Sequence, residues 1–466
     1  MTDPVGVDDR ARTSASRFAI GTLPQIIPRM ARKSYRFGQH KSGKHKSLAV
    51  DHPAPPRLSV FADALWEDHN TTHQPQPALE HNHRPSGTES DPLMTDRTTT
   101  AATTRNYVPY SDDLEQIDPR EEIQIENVLA TLRKNNEWAF KKHNHAIRDA
   151  HAKSHGVLRG ELITSADLPE HLHQGLFAAP ATYPVIARLS STAGAIRSDK
   201  VRGVRAMAIK VLGVTGTRLL PEDHGTSQDF LLVNSPSFPS ADIRHYRRSM
   251  PLAWVLARTP DSIMNVISAV LRGASKIPSP VHIPAPMVLS LFARPNTQVL
   301  GETYYTAAPL RFGKYIAQIR VTPLSDSAKA LTGQLVPSGT GDNVHRDTVV
   351  EFFRTNTASY AVQAQLCTDL RTMPIENAKV AWPQNESPFQ TVATLNFPLQ
   401  KAYSPARSAY ADDVLAFNPW NGIADHKPLG SINRLKIKTY QASSDFRHKM
   451  NKVEFSEPIN ISELPD

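Results

Sequence analysis

The chain of 466 residues contains one cysteine, Cys367. A single thiol excludes an intramolecular disulfide, and with it any zinc site or iron–sulfur cluster built from several cysteines of one chain. It leaves the redox compartment open, and a cytoplasmic location is compatible with it. No uninterrupted apolar run is long enough to cross a bilayer. The best candidate, Pro251–Val270, carries Arg258 and Asp261 and reads as a buried helix. The opening stretch Met1–Arg10 holds Asp3, Asp8 and Asp9 and lacks the apolar core of a signal peptide. No fixed-period repeat is present.

A hydrophobic content of 39% and a mean hydropathy of -0.40 fit a soluble globular protein. The length suffices for one large domain or two ordinary ones. The formal net charge of +8 is modest. A basic balance of this size suits nucleic acid, but it equally suits the acidic groups of a cofactor.

Residues 1–115 differ from the rest. They are rich in Pro, His, Ser and Thr, and His69–Pro85 and Thr98–Thr104 are low in complexity. This composition predicts a mostly disordered, basic extension. Within it, Arg29–Lys46 holds seven Lys and Arg and no acid, a stretch better explained as a solvated tail than as a nucleic-acid or membrane-surface arm. The histidines at 69, 73, 81 and 83 show no partners that would make a dedicated metal site. Translation starting at Met94 would remove residues 1–93 altogether. From about residue 116 to 455 the pattern is that of a folded domain, followed by a tail, 456–466.

Within that domain, Glu121–His143 shows apolar residues at helical spacing. Short strand-like runs follow at Val157–Ile163, Tyr183–Leu189, Val204–Leu212, Asp229–Val233, Tyr315–Val321, Tyr360–Leu366 and Phe389–Phe397, separated by Pro- and Gly-bearing turns. Helical stretches are expected at Pro251–Leu271 and near residues 434–450. This order predicts an α+β fold, an antiparallel barrel or curled sheet with added helices, and not a doubly wound sheet.

Three segments carry candidate chemistry. Arg148-Asp-Ala-His151-Ala-Lys precedes the first strand and, taken alone, is an ordinary charged helix end. In Ala187-Arg188-Leu-Ser190-Ser-Thr192 and Val201-Arg202-Gly-Val-Arg205, arginines sit in or beside apolar strands. There they need either protein carboxylates or an anionic ligand. The third segment runs from Phe417-Asn-Pro419-Trp420 to Arg434-Leu-Lys436-Ile-Lys-Thr-Tyr440 and Arg447. On a helix, Lys436, Tyr440 and Arg447 share one face. A tyrosine between two cations favours phenolate, the form that ferric iron takes as a ligand; a surface tyrosine among basic residues is the plainer alternative.

In this order the segments resemble the haem catalase superfamily over about residues 135–450. Arg148-x-x-His151-Ala-Lys resembles the family's R-x-x-H-A-K, Arg188 and Ser190 its R-F-S-T-V-A-G, and Val201–Lys210 its T-V-R-D-P-R-G-F-A-V-K strand. Thr303–Tyr315 is similar to Y-Y-S-x-x-P-x-R-F-G-D-Y, and Asn377–Pro398 to the K-V-W-P segment through Lys379, Trp382 and Pro383. Phe417–Arg447 is similar to the stretch from A-F-x-P to the proximal R-x-x-x-Y. Two positions depart. The distal asparagine falls near Ser227, and the proximal arginine is Lys436, which supplies charge without the bidentate fork. The core is also shorter than in full-length catalases, closer to small catalase-related proteins and allene oxide synthase haem domains.

The resemblance implies a catalase-like antiparallel β-barrel binding haem b (iron protoporphyrin IX). Tyr440 would ligate the iron, with Lys436 beside it. His151 would serve as the distal base, oriented by Ser190, with Ser227 at the asparagine position. Arg148, Arg188 and Arg447 would bind the propionates, and Phe238 would stack on the macrocycle. The implied activity is cleavage of hydrogen peroxide or organic hydroperoxides, a peroxide detoxification with an unknown electron donor. The alternatives are lipid hydroperoxide rearrangement of the allene oxide synthase type, and a non-catalytic haem carrier or sensor. No nucleic-acid partner and no transmembrane segment are expected, and a homo-oligomer is compatible with the family.

Overall fold

The structure, a computed structural model, describes residues 106–192, 194–274, 292–337 and 341–466. Of the expected disordered extension 1–115, residues 1–105, with Met94, Arg29–Lys46 and the four histidines, lie outside the described residues, whereas 106–115 are ordered against the domain.

Nine strands form one antiparallel sheet among the described residues: β1 (Lys153–Thr164), β2 (Thr182–Ser191), β3 (Arg205–Leu212), β4 (Ser227–Val233), β5 (Tyr304–Tyr305), β6 (Leu310–Phe312), β7 (Tyr315–Pro323), β8 (Ala358–Leu366) and β9 (Gln390–Phe397). Their order is β5-β4-β3-β2-β1-β9-β8-β7-β6, and β5 also pairs with β7 through Tyr304↔Val321 and Tyr305↔Arg320. That pairing closes the sheet into a barrel, with β6 on the same edge of β7 as β5. Closure removes the open edges that a sheet of this length would otherwise expose.

Side-chain alternation fills the barrel. Leu158 and Leu162 of β1, Val185, Ala187 and Leu189 of β2, Met207, Ile209 and Val211 of β3, and Ile319 and Val321 of β7 belong to one buried cluster with Tyr360 and Phe397. The intervening residues of β2 point outward yet are also buried, Ile186 and Arg188 among them. A strand covered on both faces reads as a continuous apolar run, which is why the main strands are visible in the sequence. The strands β5 and β6, of two and three residues, are too short to leave such a pattern.

Seven helices surround the barrel among the described residues: α1 (Glu121–His143), α2 (Ile243–Arg258), α3 (Asp261–Ala274), α4 (Asp326–Lys329), α5 (Val344–Thr355), α6 (Pro405–Ala409) and α7 (Ser431–Asn451). The single buried helix expected over Pro251–Leu271 is instead α2 and α3. The chain turns extended at Thr259 (ψ 132°), because Pro260 disfavours a helical residue before it. Neither helix is buried all round: Trp254 is 43% and Val266 63% exposed.

Both ends of the expected domain extend further than the composition suggests. Val108 N–H donates to the Cys367 carbonyl and Tyr110 N–H to that of Lys314, each at 2.8 Å. The C-terminal stretch 456–466 is docked: Leu464 is fully buried, Glu457 reaches the buried Lys210, and Asp466 pairs with Arg407 at 3.3 Å.

Candidate functional site

A cavity of roughly 440 Å³ lies against the outer face of β2–β4, walled by α2, α7 and the turn before β1. This is within the usual range for a small-molecule or cofactor site. From α7 it receives Lys436, Tyr440, Ser443 and Arg447, which recur at helical intervals on one face. From the turn before β1 it receives Arg148, Asp149 and His151, from β2 Arg188 and Ser190, and from α2 Tyr246, Met250, Trp254 and Leu256. Phe238 and Phe292 complete the apolar wall.

His151 sits at φ +58°, a left-handed conformation in which histidine is more common than most residues. Its backbone is clamped on both sides. Its N–H donates to the Thr192 carbonyl at 3.2 Å, and its carbonyl accepts from Arg188 Nη1 at 2.9 Å. Gly194 lies so close that a Cβ there would stand 2.0 Å from the Asp149 carbonyl oxygen, so only glycine permits this contact. The ring hydrogen-bonds to Ser190 Oγ through Nδ1 at 3.3 Å. With Nδ1 as the donor, Nε2 presents its lone pair to the cavity. Burial, helped by Arg188, Arg148 and Lys436, pushes the His151 pKa down to about 3, so the ring is neutral at any physiological pH.

Three arginines cluster at one end. After α6 the chain makes a π-helical turn, Tyr410–Val414, whose wide winding leaves carbonyls without helical partners. Arg148 Nη2 donates to the carbonyls of Ala411 and Leu415 at 2.6 and 2.7 Å. Arg447 Nη1 donates to those of Asp412 and Asp413 at 2.5 and 2.8 Å. Arg148 and Arg188 share the Asp412 carboxylate at 3.2 and 3.0 Å. These guanidinium groups, expected on propionates, are thus already engaged by the protein, although Arg188 Nε is buried without a partner.

The expected phenolate is not what the surroundings of Tyr440 favour. Burial raises its pKa well above the usual tyrosine range, and Asp149 and Tyr246 add to the rise. Lys436 does not reach it: its Nζ donates to Asn433 Oδ1 at 2.8 Å, and burial brings its pKa down to about 8. The Tyr440 hydroxyl makes no hydrogen bond among the described residues. Ser227 is also displaced from its expected place. It does not line the cavity but lies at the far end of β4, opposite Leu212, where its hydroxyl donates to Glu457 and accepts from Asn421 Nδ2. The β4 residues that do line the cavity are apolar, Leu231, Leu232 and Val233.

Two cavity residues went unread in the sequence. Asp149 is half-buried, accepts from Ser443 Oγ at 2.9 Å, and is raised by desolvation above its ordinary carboxyl value. Tyr246, pushed up to about 12 by burial and by Asp149, packs 6.0 Å from the Phe238 ring. Asp149 stands inside the quoted Arg148–Lys153 segment and was legible as a second charge there. No local signal marks Tyr246, which α2 brings from a distance.

Three buried histidines, His155, His345 and His426, and the half-buried His151 set an acid limit on stability. Burial holds His151 near 3, His345 near 2 and His426 near 4, and His155 well below its ordinary value. A folded pKa below the unfolded value of about 6.5 means that the unfolded chain binds the extra proton first. Their stabilisation is complete above about pH 6.5 and is lost as pH falls, by up to about 1.4 kcal/mol per unit for each ring. Urea midpoints should therefore drop between pH 7 and pH 5; a flat or rising profile would contradict these burials.

The fold and site define an α+β protein, a closed antiparallel barrel whose outer wall and covering helices enclose a cation-rich cavity. No family model matches the chain, and no curated protein does. Among solved structures it is similar to catalase A from Saccharomyces cerevisiae, at 15% identity and a TM-score of 0.45, covering 71% of this chain and 70% of that one. It is also similar to a fungal catalase, at 14% and 0.46, over 79% and 74% of the two chains. A bacterial catalase matches at 15% and 0.48, over 76% and 66%.

Proposed function

We propose that this chain binds haem b in the cavity and uses it to cleave hydroperoxides. One observation carries the reading. A phenol and a neutral imidazole open into one apolar-walled cavity whose charged lining is eight Lys and Arg against two Asp. Asp412, Asp261 and backbone carbonyls take up part of that charge, and an anionic occupant would offset the remainder, because charge is costly away from water. A flat apolar ring bearing two carboxylates meets both demands. The residues fit it: the Tyr440 hydroxyl is unengaged and faces the cavity, Arg188 Nε lacks a partner, and Phe238 offers an apolar ring.

In this reading Tyr440 would hold the iron as a phenolate, losing its proton to solvent on binding because the charge of the ferric ion would offset the burial that otherwise raises its pKa. Arg148, Arg188 and Arg447 would hold the propionates by charge-assisted hydrogen bonds. Bound there, the haem supplies a ferric centre at which a peroxide O–O bond is split. His151 takes the peroxide proton at Nε2 and returns it to the leaving oxygen, a role for which it starts neutral. Ser190 keeps the ring in place. Lys436, turned to Asn433, contributes charge only at a distance.

The test is the absorption spectrum of protein produced with ample haem, followed by steady-state turnover. A high-spin ferric tyrosinate spectrum is expected; absence of bound haem would reject the proposal. The β4 residues that line the cavity, Leu231, Leu232 and Val233, carry no side-chain amide that could position a peroxide, and losing one such donor lowers rates on the order of a hundredfold at comparable sites. Cumene hydroperoxide should accordingly be turned over better than hydrogen peroxide, and dismutation of hydrogen peroxide at rates typical of full catalases would contradict this. Met250, Leu256 and Phe292 in the wall favour a second reading, rearrangement of a lipid hydroperoxide without a reductant. Product analysis distinguishes the two.

A further inference from the structure

One face of α2 and one face of α3 lack a covering element among the described residues. On α2, Arg244, Arg247, Arg248, Pro251, Trp254 and Val255 recur at intervals of three and four, which places them on one side, and all six are exposed. The first half of this face is basic and the second apolar. Arg244 has only distant carboxylates, Asp118 at 3.7 Å and Asp242 at 4.0 Å. Arg247 and Arg248 pair with none among the described residues. On α3, Ile263, Val266 and Val270 share a face and are 50%, 63% and 64% exposed, whereas Met264 is fully buried. The one acid of α3, Asp261, is taken by Arg197 at 2.8 Å.

Water-facing helices normally turn their charged side outward. Here the outward side is valine, isoleucine and tryptophan, next to three arginines. That pairing of an apolar stripe with a basic stretch matches the boundary of an anionic bilayer, where the apolar side enters the acyl region and the cations meet headgroup phosphates. Trp254 suits that depth. Its ring is stacked by the Arg258 guanidinium at 3.5 Å, an amphipathic unit of the kind enriched at membrane interfaces. Ala253 and Trp254 are also both exposed and part of the cavity lining, so this face frames the rim of the cavity.

The geometry points to a membrane-surface dock: the α2–α3 face lies on an anionic lipid bilayer with the rim of the cavity turned toward the lipid. This is peripheral attachment; no described helix is long and apolar enough to cross a membrane. The dock does not depend on haem, so it stands or falls apart from the proposed activity.

Co-sedimentation of the full-length, haem-free protein with phosphatidylcholine vesicles, with and without phosphatidylserine, tests it. Wild type should bind the phosphatidylserine vesicles, and more weakly as salt rises. Each arginine near such a surface strengthens partitioning about fivefold, so Arg247→Glu with Arg248→Glu should weaken it at least about 25-fold. Val266→Asp with Val270→Asp should weaken it more than about tenfold, since burying a charge replaces burial of two apolar groups. All four side chains are exposed, and unchanged thermal melting confirms the fold; if the valine pair melts early, the arginine pair decides. The proposal is overturned if wild type ignores the anionic vesicles. It is also overturned if both double variants bind like wild type, which would place binding elsewhere, as in Arg29–Lys46. Sedimentation of wild type as a dimer that Val266→Asp with Val270→Asp splits would reassign the face to a second copy of the chain.

Discussion

Tyr440→Phe should leave the haem-free protein as stable as wild type and remove the ferric tyrosinate spectrum of the loaded protein. The two halves of this expectation have separate causes. In the haem-free cavity the hydroxyl has no hydrogen-bond partner among the described residues, while burial disfavours its ionisation. Deleting an unbonded hydroxyl forfeits no internal hydrogen bond, and the stability change should stay below about 1 kcal/mol. In the loaded protein the same atom is the proposed iron ligand. Changing a residue that only supports a metal ligand lowers affinity or activity by about 10- to 100-fold, so loss of the ligand itself should lower hydroperoxide turnover by at least about a hundredfold. The readouts are urea unfolding of the haem-free variant and the spectrum and turnover of the reconstituted one. An unchanged spectrum would remove Tyr440 from the iron. A large loss of haem-free stability would make it a structural residue instead.

Lys210→Met should strongly destabilise the barrel wall. Lys210 is fully buried, 2.8 Å from Asp229 Oδ1 and 2.5 Å from Glu457 Oε1. Two carboxylates around one ammonium leave a negative charge in excess. Burial pushes Asp229 up to about 7 against the pull of Lys210, and Glu457 adds to the rise. Asn418 N–H and Asn421 Nδ2 donate to Asp229 at 2.9 and 3.3 Å, but neither supplies charge. Removing one partner of a buried ion pair typically costs about 3–5 kcal/mol, because the remaining charge stays desolvated. The loss should be full at pH 7.5 and smaller at pH 5. Asp229, raised above its unfolded pKa, is better tolerated when protonated, so the penalty fades as pH falls. Comparison with wild type at each pH cancels the histidine trend, which runs the other way. Glu457 also anchors the C-terminal stretch, so proteolysis there should accelerate in the variant. A deficit under about 1 kcal/mol, or one that grows on acidification, would contradict this account.

The α+β barrel was legible because its main strands are buried on both faces. Residues such as Val185–Ala187 and Ala206–Ile209 therefore read as continuous apolar runs, and the stripe Lys436–Tyr440–Arg447 needed only the helical repeat. What could not be read depended on partners far along the chain. The spacing that put Lys436 near Tyr440 could not show that its ammonium turns to Asn433. Nor could Ser227 be placed, because a position on β4 relative to the cavity depends on the register with β3, and register depends on the whole closed sheet.

By itself, then, the amino-acid order determined the kinds of element, the face each buries, and the presence of a tyrosine, a histidine and three arginines suited to one another. Periodicity and burial are local properties written residue by residue. Only the tertiary structure decided which charges meet. Arg148 and Arg447 find the open carbonyls of Tyr410–Leu415, and burial, with Asp149 and Tyr246, raises the pKa of Tyr440. Electrostatic interaction depends on distance and desolvation in the packed molecule, and neither is carried by spacing along the chain.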